Sequence, residues 1–125
     1  MIVDTNALSA AADNDPAVIA VLSRADQMVI PVIVLGEYRY GITQSRNRSK
    51  YEMWLTGLQR DCFVLDIIEP TTIYYAEITT ELRRAGKPIP TNDLWIAALC
   101  RQHALPLLSR DRHFDFVSGI QRISW

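Results

Sequence analysis

Met1-Ile2-Val3-Asp4-Thr5-Asn6 sets two β-branched residues directly before a carboxylate and two short polar side chains. The β-branched pair reads as the end of a short buried strand, which delivers Asp4 to a sheet edge. A carboxylate at the mouth of an apolar strand is costly unless it meets a partner, a cation or solvent. The rest of the chain has to supply that partner.

Working outward, Thr5 to Ala12 is Ala-rich, and Asp15 followed by Pro16 signals the start of another helix with Ala17, Val18, Ala20, Val21 and Leu22 on its apolar face. Met28-Val29-Ile30 reads as a second strand stopped by Pro31, and Val32 onward as a helix carrying Glu37 about one turn from its start. Gln44 to Lys50 reads as a polar connection. Tyr51, Trp54, Leu55 and Leu58 recur at helical spacing. Phe63 to Leu65 forms a third strand, and from Pro70 a helix is expected with Ile73, Ala76, Ile78 and Leu82 inward and Gly86 as C-cap. Pro88 and Pro90 impose an extended passage, Thr91 or Asn92 caps the next helix, and Leu94 to Cys100 is apolar nearly all round. Leu105 to Ser109 and Ile120 to Ile123 supply a fourth and a fifth strand. Strands alternating with helices imply a parallel sheet of four to five strands, right-handed crossovers and helices on both faces.

At 125 residues the chain suits one domain over 1–125, burying roughly two-thirds of the surface its unfolded form exposes. Apolar residues make up 49% and charged residues 22%, a globular composition, and no apolar run approaches the ~20 residues that span a bilayer. No membrane role is expected. The start lacks the basic-then-apolar layout of a secretion signal, and two cysteines, Cys62 and Cys100, do not make a disulfide framework. A reducing cytoplasm is the expected location. Thirteen basic residues against fourteen acidic ones leave a net charge of −1, so any hold on nucleic acid must come from local clusters of cations.

In a sheet of this kind the working crevice lies at the carboxyl ends of the strands, where strand order reverses. Asp4 ends the first strand, Asp111 follows the fourth, and Glu37 and Asp93 lie early in helices that start from the same end. If the first and fourth strands are neighbours at that reversal, four carboxylates converge. Two of them about 4 Å apart repel by roughly 4 kcal/mol at an effective dielectric of ~20, so the cluster calls for a cation. Oxygen ligands without a second His or Cys at ligand spacing select a hard divalent ion, Mg²⁺ or Mn²⁺, which keeps waters and meets phosphate oxygens. The chemistry this favours is metal-assisted phosphodiester cleavage. Any one of these acids alone is as well explained as a helix cap or a solvated charge; the four in register are not.

Val3-Asp4-Thr5-Asn6, Glu37 with Gly41 four residues on, Pro90-Thr91-Asn92-Asp93 running into Ile96-Ala97-Ala98, and Ser109-Arg110-Asp111-Arg112-His113-Phe114 together resemble the PIN-domain ribonucleases. More narrowly, they resemble the small VapC-type toxins of bacterial toxin–antitoxin pairs. The resemblance runs through nearly the whole chain in motif order. It implies a three-layer α/β/α fold, metal held by Asp4, Glu37, Asp93 and Asp111, and water attack that leaves a 5′-phosphate and a 3′-hydroxyl. Asp115 is a further ligand or a replacement for Asp111; at this level both alternatives stay open. One departure is that few residues precede Asp4, so the central strand is expected to be short or frayed.

Asn6, Thr91 and Ser109 are expected either to cap turns or to hold carboxylates and waters in place. His103 and His113 are assigned structural or surface roles. Trp54, Trp95 and Trp125 are expected to anchor the core or an interface. An acidic pocket repels RNA, so flanking cations are needed, and Arg110 and Arg112 beside Asp111, with Arg39, are the candidates. The stripe Tyr51, Trp54, Leu55 and Leu58, with Tyr38, is either plain core or, as the resemblance implies, a groove for a cognate antitoxin, with a separate surface for a homodimer and possible higher assembly. Rival functions fit less well. A haloacid-dehalogenase-like phosphatase needs an Asp where Asn6 stands, a receiver-type phospho-acceptor needs paired acids and a late Lys, and a non-catalytic RNA-binding PIN module would have lost acids that are all here.

Overall fold

Ile2 and Val3 form β1, and both are wholly buried, each worth about 1.5–3 kcal/mol of transfer free energy. A computed structural model describes residues 1–125. Its strands are β1 (Ile2–Val3), β2 (Val29–Pro31), β3 (Phe63–Leu65), β4 (Leu107–Leu108) and β5 (Arg122–Ile123). They make one parallel sheet in the order β3-β2-β1-β4-β5. The central strand is short, as expected, yet it is not frayed. The Ile2 amide donates to Pro106 O at 2.8 Å, and the Val29 amide donates to Met1 O at 2.9 Å.

Six helices flank the sheet: α1 (Thr5–Ala12), α2 (Pro16–Leu22), α3 (Val32–Thr43), α4 (Arg48–Leu58), α5 (Thr71–Arg84) and α6 (Thr91–His103). Right-handed crossovers that step from β1 through β2 to β3 put α1 to α4 on one face; the return from β3 to β4 puts α5 and α6 on the other. The result is the expected three-layer α/β/α arrangement with five strands. Small inward residues, Ala7, Ala11 and Ala12 beside Leu8, let α1 lie close over the sheet. Val34, Leu35, Tyr38 and Ile42 seat α3, and that burial overrides the weak helix propensity of its β-branched start. Leu94 and the run Ile96 to Cys100 are buried, so α6 packs on most sides as its composition implies. Trp95 stacks on Tyr75 with ring centroids 4.0 Å apart, fastening α6 to α5.

Several local expectations need correction. Helix α4 starts at Arg48, inside the stretch read as connection, where an Arg48–Glu52 pair at 2.8 Å supports the first turn. The inward residues of α5 are Thr71, Ile78 and Leu82, with Ile73 60% exposed; Ile73 and Ile78, five positions apart, stand about 140° from each other around a helix. Pro90, rather than Thr91 or Asn92, occupies the N-cap of α6, and no side chain caps it. Gly86 lies one residue beyond the α5 cap at φ +68°, with the Lys87 amide donating to Leu82 O, a left-handed closure that suits glycine.

Candidate metal centre

The sheet changes direction between β1 and β4, and both strands end in the same crevice. Asp4 leaves β1 and caps α1, accepting from the Thr5 amide at 2.8 Å. Its other oxygen accepts from Ser109 Oγ at 2.6 Å and Asn6 Nδ2 at 2.9 Å. Ser109 comes directly after β4, is wholly buried, and also accepts from the Asp111 amide at 3.0 Å. Asn6 Oδ1 takes the Arg110 amide at 3.1 Å, which stitches the two strand ends together. Asn6 and Ser109, expected either to cap turns or to hold carboxylates and waters, both touch Asp4. Thr91 does not; it opens α6, exposed.

Asp93, in the first turn of α6, and Asp111 face each other across His113. Nδ1 of His113 lies 3.4 Å from Asp93 Oδ2 and 3.2 Å from Asp111 Oδ1, and ligand atoms of the three residues fall within 4.8 Å of one another. His113, assigned a structural or surface role, is exposed, yet its ring also meets both carboxylates. Its partner Asp93 is twenty positions away, so no local spacing betrays it. The one local signal is the Asp111 carboxylate accepting the His113 amide at 2.9 Å, which turns the chain so that the imidazole returns to the acids.

Glu37 stands at the edge of this group, where its Oε1 accepts from Thr5 Oγ1 at 3.1 Å, one residue from Asp4. Asp115 is placed otherwise. Its carboxylate is engaged by Arg122 at 2.7 and 2.9 Å, and Arg122 also donates to the Ser109 carbonyl at 3.0 Å. Asp115 thus anchors a cation behind the site and stands outside the Asp93–Asp111–His113 group.

Electrostatics follow from this crowding. Burial pushes the Asp4 carboxyl up, and the charge of Asp111 adds to the push against the hydrogen bonds from Ser109, Thr5 and Asn6. Asp93 is pushed up to about 6 by burial first and then by Asp111 and Asp4, with His113 pulling the other way. No Lys or Arg pairs with Asp4, Asp93 or Asp111. Mutually destabilised carboxylates with open oxygens and one imidazole fit a hard divalent cation, which would relieve all three at once.

The proposed cations are distributed unevenly. Arg110 lies with its guanidinium carbon 4.3 Å from the centre of the Trp125 ring and its Nη2 3.9 Å from Asp15 Oδ2, while Arg112 is exposed on the 3-10 turn Arg112–Phe116. Arg39 reaches Gln59 at 3.4 Å, about 200° around α3 from Glu37, so it does not face the acids. Tyr38 and Leu55 need correction as partner contacts: they are 3% and 0% exposed and belong to the core. Trp54 and Leu58 do line an open groove with Ile19, Leu22 and Met28, about 850 Å³ in volume. Tyr51 lies elsewhere, its hydroxyl donating to Asp13 at 2.6 Å.

The family model for the PIN domain matches residues 1–120. Ribonuclease VapC2 of Rickettsia felis is 36% identical over 81 residues, 62% of this chain and 58% of that protein. Ribonuclease VapC2 of Haemophilus influenzae is 32% identical over 114 residues, 84% of this chain and 83% of that one. Among solved structures, VapBC2 from Rickettsia felis bound to a DNA fragment from their promoter superposes with a TM-score of 0.88 over 99% of this chain and 97% of that chain; at 24% identity this is a likeness of fold.

Proposed function

This chain belongs to the PIN domain family, and within it to the VapC ribonucleases; on that premise we propose that it is a Mg²⁺- or Mn²⁺-dependent endoribonuclease toxin restrained by a cognate antitoxin. The observation that carries the metal requirement is the trio Asp4, Asp93 and Asp111, crowded enough to raise two of their pKa values and unpaired by any Lys or Arg. Asp93 and Asp111 would hold the ion, with Asp4 behind them and His113 yielding its place. When bound, the ion supplies charge neutralisation, polarisation of the phosphodiester and a more acidic water.

The chain's own residues do the rest. Asn6 and Ser109 fix the Asp4 carboxylate so that it need not reorganise. Glu37, steadied by Thr5, stands where it can take a proton from the attacking water. Attack at phosphorus breaks the bond to the 3′ oxygen and leaves a 5′-phosphate and a 3′-hydroxyl. Arg110 and Arg112 offset the acids toward the RNA backbone. The groove carrying Trp54 and Leu58 receives the antitoxin, a separate face serves a homodimer, and the single domain over 1–125 works in the cytoplasm. No helix is long and apolar enough to cross a membrane.

The test is cleavage of mixed RNA by the purified protein with and without Mg²⁺ or Mn²⁺. Asp4→Asn and Asp93→Asn should each lower the rate at least ~100-fold while remaining folded. Equal cutting in EDTA, or full activity in either variant, would remove the proposal.

A further inference from the structure

Alongside the acids runs a slot of which the mechanism uses only the end at Glu37 and Thr5. Thr5, Ser9 and Asp13 stand on successive turns of α1, and Glu37, Gly41 and Ser45 stand at the same spacing along α3 and just past its end. The two rows line a cavity of about 280 Å³ that extends ~12 Å from the catalytic edge at Glu37. Gly41 keeps the middle open: a Cβ built there meets nothing within 4 Å. Tyr38, whose buried hydroxyl has no protein partner, and Tyr51 also line the cavity. Tyr51 holds one oxygen of Asp13 at 2.6 Å and leaves the other open.

Building on the ribonuclease proposal above, we propose that this slot is a base-reading subsite: it takes the nucleobase next to the scissile phosphate and favours bases that carry an exocyclic amine. Three observations select that occupant. The slot starts at Glu37 and Thr5, so whatever fills it is covalently close to the group lying at the acids, which in an RNA strand is the neighbouring nucleoside. Its walls contain two carboxylates and no Lys, Arg or His, so a phosphate is repelled while an amino group finds acceptors. Two aromatic side chains and several hydroxyls complete the kind of surface that reads a splayed-out single-stranded base.

Gly41→Leu tests this directly, because its Cβ enters open space and leucine suits a helix better than glycine; Glu37 lies one turn away, so the Asp13→Asn arm separates a blocked slot from a disturbed Glu37. The substrate is a randomised single-stranded RNA decamer with Mn²⁺, with products sequenced. The wild-type chain should show a bias toward guanine, adenine or cytosine over uracil at one position flanking the cut. Gly41→Leu should lower kcat/KM at least ~10-fold, with Mn²⁺ affinity by calorimetry within about twofold of wild type and no loss of thermal stability. Asp13→Asn should flatten the bias at that one position. Wild-type rate and bias in Gly41→Leu, or a wild-type enzyme with no bias there, would overturn the inference. So would a Gly41→Leu chain that cuts normally yet binds its inhibitor poorly, since the slot would then belong to the protein partner. A wild-type chain that cuts no RNA in either metal would remove the ribonuclease proposal itself, and the subsite with it.

Discussion

The two halves of the acidic centre are built on opposite plans. Asp4 is 5% exposed and meets three donors, from Thr5, Asn6 and Ser109, so fixed protein dipoles offset part of what burial costs its charge. Asp93 and Asp111 are half-buried, have few donors, and face each other across one imidazole. One half is finished by folding; the other is left for a cation to finish. Rigid support on one side with an electrostatic deficit on the other lets a site bind metal firmly without first rearranging.

Removing the support should produce the largest change. Ser109→Ala leaves the buried Asp4 carboxylate and the Asp111 amide each short of a partner, costing about 1–3 kcal/mol of stability. It should also weaken Mn²⁺ binding by roughly 10–100-fold, measured by calorimetry beside urea unfolding. An unchanged affinity would mean that the finished half contributes nothing to the other.

The deficit on the open side gives the next effect. Asp93 has a folded pKa of about 6 against an ordinary 3.8, so its protonated form is favoured by folding. That contribution is complete below about pH 3.8 and disappears as pH rises through about 6; Asp4, also raised, acts with the same sign. In EDTA, urea unfolding should show the protein losing on the order of 2 kcal/mol from this source between pH 4 and pH 7. Excess Mg²⁺ should flatten or reverse that slope, because it binds the ionised form. A metal-free protein equally stable across this range would mean the carboxylates do not strain one another.

The smallest effect sharpens the boundary of the site. Asp115→Asn should keep Mn²⁺ affinity within about threefold, since the Asp115 side chain is 48% exposed and spent on Arg122. A tenfold loss would place Asp115 among the ligands and redraw the open half.

Sequence reached the finished half more fully than the open one. β1, its carboxylate and the polar Thr5-Asn6 are legible because β-branched residues followed by short polar ones announce a buried strand and its edge. The nearness of His113 to Asp93 is not legible in sequence, because only tertiary folding brings the two together. The direction of Arg39 and the pairing of Asp115 were not legible for the converse reason: nearness to an acid in sequence says little about direction around a helix or about a distant cation such as Arg122. On α5, several apolar residues fit more than one helical phase, and only the sheet selects the one with Ile78 and Leu82 inward. Tyr38 and Leu55 carry the same ambiguity between a core and a contact surface, which burial resolves.

The place of β1 between β2 and β4 has a bearing on how the chain comes off a ribosome. Its first strand waits for a neighbour made more than a hundred residues later, at Leu107 and Leu108, and the acid at position 111 follows that neighbour. Contacts this distant along the chain form late and slowly. The carboxylate crevice is therefore complete only once the late-made strand β4 has joined the sheet, however early Asp4 and Glu37 are synthesised.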